Sequence, residues 1–491
     1  MSYILAIDQG TSSCRAIIFD EKANIISKSQ KSISQHYSKK GWVEQDPDEI
    51  LKTQIEVIKD ALLQKNISPT EIQAVGITNQ RETTILWDKN TAKPIYNAIV
   101  WQDRRSDDIC KSYKSHESFI QKRTGLLLDP YFSATKVQWI LENVSGALEK
   151  AKRGEILFGT IDTWLIWNLT SRMLHITDVS NASRTLLFNI HSLTWDEELL
   201  ELFKIPKQVL PRVCMSSEKI GCINKSFFGG EMPICGVIGD QQAALFGQSC
   251  TEYGQIKCTY GTGCFLLMNI GKKPKVASKH LITTVGWSLP GYTHYALEGS
   301  IFNGGTILNW LQSELNLIEH IDELEGILKS VEDSAGVYFV SALTGLGAPH
   351  WNPQAKGAIL GLSAQTKKAH IIKAAIDSIA YQVADLITAF ELETNEKVLD
   401  IKVDGGLAKS NYLMQMQADL SQRTLIQFSI DEVTSLGAAF MAGIAIGLWD
   451  LSKIKKLLKE KSKYFPKKES KLINKMRQRW NKAIEVVNGW S

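Results

Sequence analysis

Charge of one sign is scarce in this chain. Its 56 lysines and arginines stand against 52 aspartates and glutamates, a net charge of +4 over 491 residues, which excludes the broad basic face that a nucleic-acid-binding protein needs. Cysteine is sparse too: eight residues lie scattered, with no C-x-x-C pair and no histidine at ligand spacing. That argues against a zinc site and a disulfide framework, and reduced thiols in a cytoplasmic setting are expected. No run of about 18 apolar residues occurs, and Asp8 arrives before an apolar h-region can form, so neither a membrane span nor a signal peptide is expected. Also missing are G-x-x-x-x-G-K-[ST], a G-x-G-x-x-G that opens a helix, H-R-D, H-E-x-x-H and G-x-S-x-G, which removes the commonest ATP, dinucleotide, metalloprotease and hydrolase readings.

What is present is the composition of a globular protein, 44% hydrophobic and 22% charged. At roughly 150 residues per domain the length suggests about three units, or two large ones. The opening reads as a β-hairpin: a strand over Ile4–Ile7, the polar turn Asp8-Gln9-Gly10-Thr11-Ser12-Ser13, and a second strand over Ala16–Phe19. Helical spacing over Glu49–Leu63 precedes an apolar strand at Ala74–Thr78, the alternation of a layered α/β domain. A further buried strand, Ile234–Ile238, runs into Gly239-Asp240 and a helix start at Gln241–Phe246. Helices are expected at Ile301–Leu311, His370–Phe390 and Ser435–Ile446, and the lysine-rich segment Lys453–Lys482 reads as solvated faces of terminal helices.

The opening turn has an echo. Gly10-Thr11-Ser12-Ser13 followed by an apolar strand recurs as Gly261-Thr262-Gly263-Cys264 followed by Phe265-Leu266-Leu267. Two such hairpins, one near the start of each half, suggest a duplication in which each half opens on a phosphate-facing turn. Three aspartates, Asp8, Asp240 and Asp404, stand at the ends of apolar strands, where open α/β sheets bind ligands and where a carboxylate can hold Mg²⁺ directly or through water. Phosphoryl transfer requires donors around the phosphates, a divalent cation and a base. Thr11, Ser12, Ser13 and Arg15 supply the first of these from one half; Gly261-Thr262-Gly263 and Gly405-Gly406 offer a second cradle from the other.

Four stretches, Asp8-Gln9-Gly10-Thr11, Thr78-Asn79-Gln80-Arg81-Glu82-Thr83-Thr84, Gly239-Asp240-Gln241-Gln242-Ala243-Ala244-Leu245-Phe246-Gly247 and Tyr260-Gly261-Thr262-Gly263-Cys264-Phe265, closely resemble the glycerol-phosphorylating branch of the FGGY carbohydrate kinase family. Two more, Tyr131-Phe132-Ser133-Ala134-Thr135-Lys136-Val137-Gln138-Trp139 and Gly357–Leu362 continuing to Asp377, look like the two signatures of the wider family. The resemblance implies an α/β protein of two actin-like (ribonuclease-H-like) domains with an active-site cleft between them. Residues 1–250 would carry the glycerol and phosphate site and residues 251–491 the adenine-nucleotide site.

The implied reaction is ATP- and Mg²⁺-dependent phosphorylation of glycerol to sn-glycerol 3-phosphate, by a cytoplasmic homo-oligomer, a dimer or a tetramer. Position by position, Arg81, Glu82, Tyr131, Asp240 and Gln241 match glycerol-binding residues, and Trp101 and Phe265 line the apolar side. Thr11, Ser12, Ser13, Arg15, Thr262, Gly305, Asn309 and Gly406 match nucleotide-contacting positions. Asp240 matches the general base, and Asp8 and Asp240 would hold the metal. Ser410 stands where many relatives have asparagine, so either Ser410 or Asn411 takes that nucleotide contact. The segment Asn224–Glu231 carries neither the arginine nor the histidine through which some members are regulated, so neither form of regulation is expected. The alternatives are another sugar kinase of the family, such as a pentulose kinase, and an actin-fold ATPase that transfers phosphate to no acceptor.

Overall fold

The computed structural model describes residues 2–278 and 281–490. Two mixed sheets form its frame, and they repeat one strand order. In the first, Ile25–Ser32, Ser13–Phe19 and Tyr3–Gln9 run antiparallel, Ile72–Asn79 and Met232–Gly239 follow in parallel, and Ser217–Ile223 closes the edge antiparallel. In the second, Tyr292–Ile301, Cys264–Asn269 and Ile256–Tyr260 run antiparallel, Asp400–Asp404 and Thr424–Phe428 follow in parallel, and Glu460–Tyr464 closes the edge antiparallel. Ile282–Leu289 adds one strand on the far side. The echo of Gly-Thr turns is therefore an echo of whole sheets.

The parallel strands are buried along nearly their whole length, because helices cover both faces. One covering helix, Val433–Ala445, comes from the second half of the chain yet packs on the first sheet. Its Leu436, Phe440 and Met441 share a core with Ile4, Ile17 and Ile238 of that sheet and with Leu267 and Trp287 of the second. The approach is backbone to backbone: a Cβ on Gly76 would lie 2.1 Å from the Ala438 carbonyl oxygen, and one on Gly437 would lie 1.9 Å from that of Ala243.

Most expected elements are present with slightly wider or shifted bounds: helices Pro47–Leu63, Asp240–Gly247, Lys368–Thr394 and Val433–Ala445, and strands Ile72–Asn79 and Met232–Gly239. Two expectations are met only in part. Ile301 ends a strand, Tyr292–Ile301, and the helix begins only at Gly305; pairing with Cys264–Asn269 overrides the local apolar spacing. In the lysine-rich C-terminal segment, Glu460–Tyr464 is an edge strand between two helices. Lysines on such a strand protect its open edge. Among the described residues no helix is long and apolar enough to cross a membrane.

Candidate functional site

In each Gly-Thr turn the first loop residue bonds the last, across four residues between Gln9 and Cys14 and across three between Tyr260 and Cys264. Gly10 N–H donates to the Ser13 carbonyl and Gly261 N–H to that of Gly263, each at 2.9 Å. Ser12 and Thr262 are exposed, Thr11 is half-buried, and Ser13 is buried, its hydroxyl bonded by Gln30. The Thr11 hydroxyl accepts from Trp101 Nε1 at 2.9 Å. Arg15 lies directly across the hairpin from Asp8, with Nη1 3.6 Å from the Asp8 carboxylate and 3.7 Å from that of Glu432.

The second turn is braced from behind by the start of the helix Gly305–Ser313. Gly304 N–H reaches the Thr262 carbonyl at 2.9 Å and Gly305 N–H the Gly261 carbonyl at 2.8 Å. Asn309 is exposed one helical turn beyond Gly305. At Gly405-Gly406 the two glycines differ. Gly405 has φ +96° and a Cβ there would meet the Tyr260 carbonyl oxygen at 2.4 Å, whereas Gly406 faces open space on the exposed side. Gly405 therefore makes the turn and Gly406 leaves room for a ligand. Ser410 caps the helix Asn411–Ser421 through Leu413 N–H and bonds Glu325, while Asn411 accepts from Tyr464. Both polar side chains are thus engaged within the protein.

Below the turns lies a buried cluster of charge. Arg81 donates to Glu298 through Nη1 at 2.6 Å and Nη2 at 2.9 Å, and to Gln242 at 3.1 Å; its Nε is 3.2 Å from Asp240. Arg184 donates from Nε to Glu82 at 2.5 Å and from Nη2 to Glu298 at 3.0 Å. Two guanidinium groups and two carboxylates balance, as burial demands. Burial would raise the Glu298 carboxyl, but Arg184 and Arg81 outweigh it and hold it at about 2. Glu82 adopts φ +61°, a strained backbone for a non-glycine residue. Ser133 and Thr84 hold it there by donating to its carbonyl, both at 3.0 Å.

Asp240 opens the helix that follows Met232–Gly239, and its side chain keeps 27% exposure at the rim of this cluster. Burial pushes its carboxyl up and Arg81 pulls it down. The result is an acceptor fixed against a cation yet open on one side, the requirement for a general base. Beside it Trp101 packs edge-on against Tyr131 at 5.6 Å and against Phe265 at 6.5 Å. Phe265 is on the second hairpin, so this apolar wall is built from both halves. Gln241 accepts from Lys257 Nζ at 2.5 Å. Asp8 accepts from Ser435 at 2.7 Å, and burial raises its carboxyl. Asp404, the third strand-end aspartate, accepts from Gln248.

The structure thus brings Arg81, Glu82, Trp101, Tyr131, Asp240, Gln241 and Phe265 to one place, with Asp8 and Arg15 on the adjoining hairpin. Thr262, Gly305 and Asn309 group on the second half, and Gly406 lies on the loop beyond Asp404. Sequence reasoning missed Arg184, Gln242, Lys257, Glu298 and Ser435, all buried. Glu298 and Lys257 carried an available signal: each is a charged residue inside an apolar strand, Ala296-Leu297-Glu298 and Ile256-Lys257-Cys258, and such residues are rarely buried without a partner.

Known proteins resemble this chain over its whole length. The chain is 50% identical to glycerol kinase 2 of Thermotoga maritima, covering 100% of this chain and 99% of that one, and 51% identical to glycerol kinase of Pseudothermotoga lettingae, covering 99% of each. The crystal structure of Plasmodium falciparum glycerol kinase with ADP superposes with a TM-score of 0.94 at 36% identity, over 99% of this chain and 98% of that one. The N-terminal domain of the FGGY family of carbohydrate kinases matches residues 3–247 and the C-terminal domain residues 256–446. With a family domain on each of the two repeated sheets, the chain belongs to the FGGY family of carbohydrate kinases.

Proposed function

We propose that this chain transfers the γ-phosphoryl group of ATP to a terminal hydroxyl of glycerol, giving sn-glycerol 3-phosphate and ADP. The observation that carries the reading is the convergence of Asp240, half-exposed beside Arg81, with an aromatic wall to which both halves contribute. A triol needs convergent donors and acceptors for its hydroxyls and an apolar face for its carbons. Glu82, Gln241 and Asp240 offer the first, and Trp101, Tyr131 and Phe265 the second. Asp240 takes the hydroxyl proton as that oxygen bonds to the γ-phosphorus and the bond to the ADP oxygen breaks. Relatives of about half-identical sequence are named glycerol kinases, which supports this acceptor over a pentulose.

In this reading residues 1–250 hold glycerol and residues 251–491 the adenine nucleotide. Thr11, Ser12, Ser13 and Arg15 face the phosphates from the first half; Thr262, Gly305, Asn309 and Gly406 face the nucleotide from the second. For magnesium the donor set fits: Asp8 and Asp240 are carboxylates close enough for the charge of Asp8 to raise Asp240, and no third ligand groups with them among the described residues. Two carboxylates suit an ion that keeps most of its waters and takes phosphate oxygens besides. When bound there, Mg²⁺ supplies neutralisation of phosphate charge. A cytoplasmic setting suits an ATP-using kinase whose eight cysteines are all free, and a dimer or tetramer is proposed from the family resemblance.

Coupled ADP release with glycerol, dihydroxyacetone and several pentuloses side by side tests the assignment. Glycerol is expected to give the higher kcat/KM. A pentulose far ahead of it sinks the substrate assignment, and ATP turnover indifferent to any polyol favours the ATPase reading.

A further inference from the structure

A lysine inside a buried strand calls for a physical reason, because an ammonium group out of water costs several kcal/mol unless hydrogen bonds and opposite charge compensate. Lys257 lies in Ile256–Tyr260 and is fully buried. Its Nζ donates to Gln241 Oε1 at 2.5 Å and to Thr259 Oγ1 at 2.9 Å. The carboxylates of Asp404 and Asp240 supply compensating charge, and Arg81 is the cation that opposes it. The strand ends at Tyr260, immediately before the Gly261-Thr262 turn, so Lys257 joins the base of one phosphate turn to a side chain of the polyol site.

The chemistry of this contact is one-directional. An ammonium group only donates, so the Gln241 atom that meets it is the carbonyl oxygen, and the amide orientation that is otherwise ambiguous is fixed. The Gln241 backbone N–H is taken by the Asp240 carboxylate at 2.7 Å. Among the described residues its side-chain Nε2 has no protein acceptor. Arg184 similarly occupies one oxygen of Glu82. The polar side chains around the acceptor thus have assigned roles: Glu82 and Asp240 accept, and Gln241 donates.

We infer that Lys257 is a positioning residue that holds Gln241 as a hydrogen-bond donor toward the acceptor polyol, so that this corner of the site recognises an oxygen able to accept. The inference rests on the proposed function. It adds a selectivity: a hydroxyl or carbonyl oxygen satisfies the Gln241 donor, whereas an ammonium group at that position cannot accept and meets the Lys257 charge behind the amide. Amino-substituted propanediols are therefore poor acceptors for the parent chain.

A double-mutant cycle on the full-length chain tests it, with Lys257→Met, Gln241→Ala and the double variant assayed for glycerol KM, ATP KM and kcat. Each single variant is expected to raise glycerol KM about tenfold with ATP KM within about twofold, and the double variant to be no worse than the worse single one. Lys257→Arg, which keeps charge and donor, is expected to stay within about threefold of the parent. Additive effects, or a rise in ATP KM in place of glycerol KM, would overturn the assignment.

Should Lys257→Met fail to fold, Gln241→Glu decides: it keeps the contact with Lys257 but loses the donor, and an unchanged glycerol KM overturns the inference. Parent turnover with glycerol reports separately on the proposed function. If the parent prefers another polyol, the same cycle run with that polyol still judges Lys257.

Discussion

Arg81 and Glu298, 217 positions apart, share two parallel hydrogen bonds in the buried interior. They join the loop after Ile72–Asn79 in the first sheet to Tyr292–Ile301 in the second. The two sheets are therefore tied by a buried bidentate ion pair, beside the residues proposed to bind the polyol. Because Arg184 leans on the same carboxylate, Glu298 serves two guanidinium groups at once.

Glu298→Gln removes that shared charge and leaves Arg81 with Asp240, 3.2 Å from its Nε, and Arg184 with Glu82 as the nearest full counter-ions. Losing one partner of a buried pair typically costs about 3–5 kcal/mol. Urea denaturation of parent and variant measures it. A loss below about 1 kcal/mol would show that the tie does not hold the halves together.

Asp240→Asn keeps the shape of the side chain but cannot take a proton. Turnover is expected to fall about 10²-fold or more, because general-base catalysis typically contributes a factor of that order. ADP affinity, measured by calorimetry without glycerol, is expected to stay within about threefold. Near-parental turnover would remove Asp240 from its role.

Gly437→Ala pits two effects against each other. Alanine is the better helix former by about 1 kcal/mol, but its Cβ would sit 1.9 Å from the Ala243 carbonyl oxygen, with no flexible side chain to yield. Overpacking of this kind costs about 1–3 kcal/mol or more, so a lower melting temperature is expected. An unchanged or higher one would mean that the helix can shift against the helix Asp240–Gly247.

His175 gives the stability a pH dependence. Its Nε2 lies 2.8 Å from the Phe158 carbonyl, so that nitrogen carries the proton of a neutral ring, packed against Trp87 and Trp167. Burial pulls its pKa down to about 4, which the Phe158 bond only partly opposes. The unfolded chain takes up the proton first, near pH 6.5. The stability tied to the neutral ring is therefore present above that pH and is lost as pH falls toward 4, by no more than about 3 kcal/mol. His175→Gln lacks this group. The stability gap between parent and variant should narrow between pH 7 and pH 4.5 in parallel denaturation curves; a constant gap refutes the assignment.

Much of the site was legible before the fold because its parts are local. A Gly-Thr turn between two apolar strands makes a hairpin wherever it occurs, since backbone freedom at glycine and cross-strand pairing need only neighbouring residues. Two such turns, with aspartates at strand ends, were enough to suggest two phosphate cradles on two similar halves, and the repeated strand order accounts for the echo. The resemblance of Arg81-Glu82 and Asp240-Gln241 to a kinase pattern then supplied the chemistry.

Tertiary structure alone decided what sits behind those residues. Glu298 reaches Arg81 across 217 positions, Lys257 fixes the amide of Gln241, Ser435 binds Asp8, and the helix Val433–Ala445 crosses to cover the first sheet. None of these follows from spacing along the sequence, because a buried charge acquires its partner only when distant strands pair and exclude water. For the same reason Tyr292–Ile301 is a strand where local apolar spacing suggested that a helix begins by Ile301: the neighbour Cys264–Asn269 supplies its hydrogen bonds. Local turn chemistry determined where the two Gly-Thr turns are, and the packing of the two sheets determined which buried charges meet behind them.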